Sequence, residues 1–252
     1  MSTSTLVLHR GARVVDLDEL SGVKAPEPQG RWFPIAHSKV LTRVKETLGE
    51  AGFEVRREQL ALSKGDHRFF GVLDLESALT EGTTLSVGVR NSTDQSFPIG
   101  FAAGSRTFVC DNLAFSAELM VKRKHTRFGE QRFGNDIATA VQKLHQFKVD
   151  EARRILLMRA TDVTDVEADS LILRAFEKGI ITTPYIPKVL DEWRVPRHGE
   201  FEERTYWSLF SAFTSAMADR AKQNPHAYAV TTMRLSVHLA PPKTITLPAL
   251  SA

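Results

Sequence analysis

The amino-acid sequence predicts an α+β protein: an N-terminal helix and an antiparallel β-sheet of about four strands packed on a long helix, then a helical C-terminal half. Three observations predict it. Between residues 53 and 109 apolar residues cluster in short runs, several alternating at the two-residue strand period, separated by turn-forming residues. Between residues 135 and 220 they recur at helical spacing. The two kinds of pattern are segregated along the chain, strands first and helices later, which is the α+β order.

The elements follow in turn. Leu6, Val7 and Leu8, then Val14 and Val15, suit short strand pieces in a lead-in that ends at residue 37. Pro26, Pro28, Gly30 and Pro34 make the rest of the lead-in an extended connection. Trp32 and Phe33 anchor it, to the body or to a neighbouring subunit. Ser38 is a helix N-cap, and Val40, Leu41, Val44 and Leu48 follow at helical spacing to a stop at Gly52. The strand reading begins at Phe53 and runs to Leu62. Ser63-Lys64-Gly65-Asp66 and Glu81-Gly82 are turns. His67 to Leu75, the alternating Leu85, Val87 and Val89, and Phe97 to Val109 supply the remaining strands.

In the second half, Asn135 caps a long helix through Ile137, Val141, Leu144 and Phe147, with a break at Val149 or Asp150 before Ile155 and Met158. Asp165 caps a helix closed by Gly179. Thr183-Pro184 opens a short helix to Trp193. A final helix runs from Glu202 to Arg220, and the tail turns strand-like at Val237 and Leu239. The units are thus a lead-in (1–37), an α+β core with a basic segment (38–160), a helical part (161–240) and a proline-rich tail (241–252).

Composition narrows the function classes. The chain has 252 residues, 42% hydrophobic and 25% charged, the profile of a folded globular protein. The single Cys110 excludes an intramolecular disulfide and a multi-cysteine zinc site. No apolar run approaches the roughly 20 residues that span a bilayer. Met1 to Arg13 lacks the apolar core of a signal peptide, so a cytoplasmic location and no membrane partner are expected. There is no phosphate loop, no G-x-G-x-x-G, no H-E-x-x-H and no G-x-S-x-G, which removes the sequence support for an ATPase, a dinucleotide enzyme, a zincin or a serine hydrolase. No cofactor and no catalytic residue is expected. Cys110 reads as a small buried residue at a strand end. Asp66, Asp74, Asp94 and Asp111 are the candidates for a magnesium nuclease site, although turn and cap roles explain them as well.

The segment from Met120 to Gly134, M-V-K-R-K-H-T-R-F-G-E-Q-R-F-G, carries the most chemistry. Lys122, Arg123, Lys124, Arg127 and Arg132 stand against Glu130 alone. That local excess of four exceeds the net charge of +3 of the whole chain. Phe128 and Phe133 are interleaved, and Gly129 and Gly134 give the backbone freedom. Cations track phosphates and aromatic faces stack on bases of any identity. The same composition also describes a solvated charged loop whose phenylalanines anchor it. Lys143 continues the positive trend along the following helix, and Arg90 and Arg106 on the strands extend the surface.

Two stretches resemble a known family. Asn91-Ser92 with Asp94, then Arg106, Val109, Cys110, Asn112 and Leu113, are similar to the signature of phage/plasmid-like proteins grouped as a bacterial domain of unknown function. Trp207, Ala212, Thr214 and Asp219 resemble that family's late helix, with Ser211 and Arg220 departing from its Asn and His. The resemblance covers residues 38 to 220 and implies an association with mobile elements, not an activity. The order of elements more loosely resembles single-strand annealing proteins of the RecT/Red-beta kind, in which a sheet packs on a long helix, subunits form rings or arcs, and single-stranded DNA lies in a basic groove without ATP. This likeness implies ATP-independent binding and annealing of single-stranded DNA, or RNA, by a homo-oligomer. A protein-interaction or inhibitor module of a mobile element is the alternative, and a metal-dependent nuclease the third reading.

Overall fold

Alternating apolar residues in consecutive runs, joined by tight turns, produce one antiparallel meander. The computed structural model describes residues 11–107, 112–223 and 225–241. Its sheet has six strands in the order of the chain: β1 (Arg13–Val15), β2 (Val55–Leu62), β3 (Arg68–Thr80), β4 (Thr83–Ser92), β5 (Ile99–Thr107) and β6 (Asn112–Arg123). The sequence pattern predicts about four. The two additional strands are the edges: β1, whose Val14 and Val15 are read as a strand piece of the lead-in but not as part of the sheet, and β6. The β2–β3 turn depends on Gly65 and Asp66 at φ of 86° and 58°, and the β3–β4 turn on Gly82 at 71°. These are left-handed conformations that glycine adopts at no steric cost.

Register assigns the two faces. Phe69 lies opposite Asn91, Leu73 opposite Val87 and Val89 opposite Phe101, so these side chains share one face. Helices α2 (His37–Glu50), α3 (Gly129–Gln142) and α4 (Leu144–Ala160) cover it. Val40, Leu41, Val44 and Leu48 of α2 bury one stripe against the sheet. Asn91 Nδ2 donates to the Ile35 carbonyl at the entry to α2, and Ser105 Oγ donates to Glu151 of α4.

Helix starts and breaks differ from the sequence pattern for local reasons. Helix α2 begins at His37 with Ala36 as its N-cap, where the sequence pattern makes Ser38 the cap. The His37 ring bridges the Asp66 carbonyl and Asn91, which draws the first turn forward by two residues. Helix α3 starts at Gly129, six positions before Asn135, and ends at Lys143 rather than at 149–150. Phe133 is the cause: it is 2% exposed, and burying it winds residues 129–134 onto the core.

The lead-in holds α1 (Leu17–Gly22), closed by a reciprocal Asp16–Glu19 capping box. It then packs on its own chain, with the Phe33 amide donating to the His125 carbonyl. The C-terminal part holds α5 (Asp165–Glu177), α6 (Tyr185–Arg194), a 3-10 turn (Gly199–Phe201), α7 (Tyr206–Ala216), α8 (Ala218–Gln223) and α9 (Pro225–His238). Thr164, not Asp165, caps α5. The helix expected from Glu202 to Arg220 is divided between α7 and α8. Val237, expected in a strand, lies in α9. Buried residues from Val15 to Leu239 form one hydrophobic cluster, so the sheet and both sets of helices share a core. Leu6 to Leu8, Val109 to Asp111 and the tail after Pro241 lie outside the described residues.

Candidate nucleic-acid interface

The basic segment is not a loop. Met120 to Arg123 end β6, Lys124 to Phe128 cross to the helix, and Gly129 to Gly134 form the first turns of α3. Its glycines serve close packing rather than freedom. A Cβ on Gly129 would lie 2.8 Å from the Lys124 carbonyl oxygen, and one on Gly134 would lie 2.8 Å from Arg43 Nε.

Two grooves flank α3. The first lies between α2 and α3, holds about 760 Å3, and is lined by Lys39, Thr42 and Arg43 of α2 and by Arg127, Phe128 and Gln131 at the start of α3, among others. Lys39 approaches Glu130 at 4.0 Å, and Arg43 lies across Gly134. Both partners advance by four residues, so α2 and α3 run parallel here and their N-termini lie at the same end. Neither N-cap residue, Ala36 or Phe128, supplies a side-chain cap. The positive dipole ends of the two helices lie at the same end as the cations. Phe128 is 55% exposed at the mouth, with the Arg127 guanidinium 5.8 Å from its ring centroid. Glu46 and Glu130 temper the charge, leaving three cations against two anions on the lining. Their contacts with Arg43 and Lys39, 3.9 and 4.0 Å between exposed side chains, are weak.

The second groove, about 410 Å3, lies between the edge strand β6 and the other flank of α3. It is lined by Leu119 to Arg123, Asp136, Thr139, Ala140 and Lys143. At about 100° per residue, its α3 positions point roughly 160° away from those of the first groove. Arg123 is committed to Asp136 through both Nε and Nη2, the latter at 2.9 Å. That contact holds the Asp136 carboxyl below its ordinary range.

The expected single channel is thus divided. Arg127 and Phe128 line the first groove, and Lys122, Arg123 and Lys143 line the second. Lys124 and Arg132 are exposed but line neither; by helical phase Arg132 lies on the second groove's flank of α3, one turn before Asp136.

Three residues expected on this surface are elsewhere. Phe133 belongs to the core and stacks on nothing outside. Arg106 is 1% exposed and pairs with Asp74 at 2.7 Å, with Gln59 also accepting from it. Its strand position turns it to the sheet face opposite α2–α4, where Ser86 Oγ donates to the same carboxylate. Arg90 lies on that face too, half-buried, 5.1 Å over the Phe97 ring. Burial pushes its guanidinium down to about 10, so it stays charged at neutral pH.

The aspartates expected of a nuclease do not converge. Asp74 neutralises Arg106, Asp66 pairs with Arg13 and Asp94 with Arg68. Among the described residues no three His, Cys, Asp or Glu side chains are grouped to hold a metal ion. Cys110 and Asp111 lie outside the described residues. Nor is any described helix long and apolar enough to cross a membrane.

Lys39 and Arg43 are the site residues that sequence reasoning missed. Their signal was present: two cations four apart on the polar face of an amphipathic helix. What was absent was any sign that this face lies beside the N-terminus of α3, ninety residues on. Comparison with protein-family models, with curated proteins and with solved structures finds no match to this chain.

Proposed function

We propose that the protein binds single-stranded DNA in the α2–α3 groove and promotes annealing of complementary strands without a nucleotide cofactor. The observation that carries this reading is the convergence of Lys39, Arg43 and Arg127 on one open groove with an exposed aromatic ring, Phe128, at its mouth. The cations suit phosphates, and Phe128 suits an unpaired base. A base inside a duplex offers no free face to such a ring, so single strands are favoured. Annealing needs no bond-making residue. It needs phosphate repulsion cancelled while base edges stay open, which an open groove allows and an enclosed pocket does not. RNA offers the same phosphates and similar base faces, and the 2′-hydroxyl and the thymine methyl are the groups that separate the two.

The test is fluorescence anisotropy with labelled DNA and RNA oligonucleotides, single- and double-stranded, beside a complementary-strand annealing assay. Arg43→Glu with Arg127→Glu is expected to abolish binding and annealing while leaving the circular dichroism spectrum unchanged. Phe128→Ala is expected to cost about 1–3 kcal/mol of single-strand affinity. A folded double-reversal variant that binds like the wild type overturns the reading.

A further inference from the structure

The sheet face opposite α2–α4 carries a charge that the fold leaves without a counter-ion. Register places four residues in one row across it: Phe70 of β3, Arg90 of β4, Gly100 of β5 and Lys122 of β6. Gly100 is what lets Arg90 lie flat. A Cβ there would stand 2.8 Å from Arg90 Nε and 3.0 Å from its Cγ, so the side chain runs across β5 in the direction of Lys122. The Phe97 ring backs the guanidinium at 5.1 Å, and the Phe70 ring lies 5.5 Å from that of Phe97.

Two other arginines of this face show what is missing. Arg106 has Asp74 at 2.7 Å, and Arg68 has Asp94 at 2.9 Å. Arg90 is half-buried, yet among the described residues it has only the ring, with no carboxylate and no hydrogen-bond acceptor. Burial disfavours its charged form and no anion offsets that cost. The adjoining row, two residues along the strands, is apolar: Val72, Gly88, Ala102 and Met120. Phe70, Gly88, Ala102 and Met120 are each partly exposed, so this part of the face is open.

We propose that this face binds an extended segment of a partner protein in which an acidic side chain stands two positions from an apolar one. The carboxylate pairs with Arg90, beside Lys122, and the apolar side chain lies on the row from Val72 to Met120. The two rows are about 6.8 Å apart, and side chains two positions apart in an extended chain share one side at that same spacing. A carboxylate also matches the planar fork of a guanidinium. A polynucleotide fits less well. Its backbone needs a succession of cations, whereas the row beside Arg90 is apolar and the flanking Arg68 and Arg106 already hold aspartates. A small molecule calls for an enclosed pocket rather than an open sheet.

The experiment selects a random heptapeptide display library on the full chain and measures the enriched peptides, fluorescently labelled, by anisotropy. Enriched sequences are expected to carry Asp or Glu two positions from Leu, Ile, Met or Phe. Replacing that acid by its amide tests the charge pair without touching the protein, and is expected to weaken binding about tenfold or more. Arg90→Met keeps the bulk, removes the charge and is expected to lose as much. In the free protein the same substitution is expected to raise the denaturation midpoint, because it removes an uncompensated charge. A lowered midpoint would make Arg90 a structural residue and overturn the proposal. So would a library that enriches no acid at that spacing, or peptide affinity unchanged in Arg90→Met. Oligonucleotide affinity on the same proteins separates this face from the α2–α3 groove. Arg90→Met is expected to bind oligonucleotides like the wild type, and Arg43→Glu with Arg127→Glu to bind the peptides like the wild type. Oligonucleotide binding lost in Arg90→Met would give this face to nucleic acid instead and overturn the proposal.

Discussion

Arg106 and Arg127 carry the same guanidinium in different surroundings, and burial decides what each can do. Arg127 is exposed and lines an open groove, available to a phosphate. Arg106 is sealed in the sheet against Asp74, which also accepts from Ser86. Removing Asp74 takes a counter-ion from a buried charge, at a cost of about 3–5 kcal/mol. Asp74→Ala is therefore expected to lower the unfolding free energy by that amount. Arg127→Ala is expected to change it by less than about 0.5 kcal/mol, the usual range for an exposed surface substitution. Denaturant titration of both variants checks the contrast, and equal effects contradict it.

His125 is the second residue whose surroundings set its chemistry. It is 6% exposed, its Nδ1 accepts from the Ile35 amide, and burial, with His37 nearby, pushes it down to about 4. The unfolded chain holds a proton on this ring below about 6.5 while the folded chain does not, so stability rises with pH across that interval. The stabilisation is fully present above about 6.5 and is lost as pH falls through about 4, by as much as about 3 kcal/mol. Unfolding midpoints at pH 7 and pH 4.5 should differ, and His125→Asn should flatten the difference. A pH profile unchanged by that substitution would remove His125 as its source.

Two glycines in α3 separate packing from function at the level of the element. A Cβ at Gly129 meets the Lys124 carbonyl, a backbone atom that cannot yield, so Gly129→Ala destabilises the helix start. A Cβ at Gly134 meets only the end of the flexible Arg43 side chain. There the helix gains up to about 1 kcal/mol from replacing glycine by alanine, and Arg43 is displaced instead. Gly134→Ala is expected to leave stability equal or raised and to weaken oligonucleotide binding, read by denaturation and anisotropy on one preparation. Unchanged affinity would show that the placement of Arg43 does not matter.

The same helix shows what a sequence can reveal. The strands β2 to β5 and the buried stripe of α2 were legible because their apolar residues follow one period each. The start of α3 was not, because Phe133 and its glycines look alike whether they stack on a base or fill a core. Only the distant residues that cover Phe133 distinguish the two. Charge was legible as an amount but not as an arrangement. The tract from Lys122 to Arg132 is continuous in sequence, yet the turn into α3 distributes it over two flanks of that helix.

At the scale of the molecule, charge is a matter of distribution. The chain carries a net +3, while the eight cations around α3 (Lys39, Arg43, Lys122, Arg123, Lys124, Arg127, Arg132 and Lys143) stand against Glu46, Glu130 and Asp136. That is a local excess of five, which leaves the rest of the protein two negative. On the proposed function, binding of a polynucleotide is expected to follow the groove and not the net charge. Lys39, Arg43 and Arg127 line the α2–α3 groove, with Lys124 and Arg132 exposed outside it, and the two glutamates oppose them. Each phosphate neutralised on a single strand contributes about 0.7 to the slope of log affinity against log salt. Three net to five total cations give a slope between about −2 and −3.5. A markedly steeper slope would place the second groove on the nucleic acid as well. A slope near zero would show that phosphates are not what the α2–α3 groove holds.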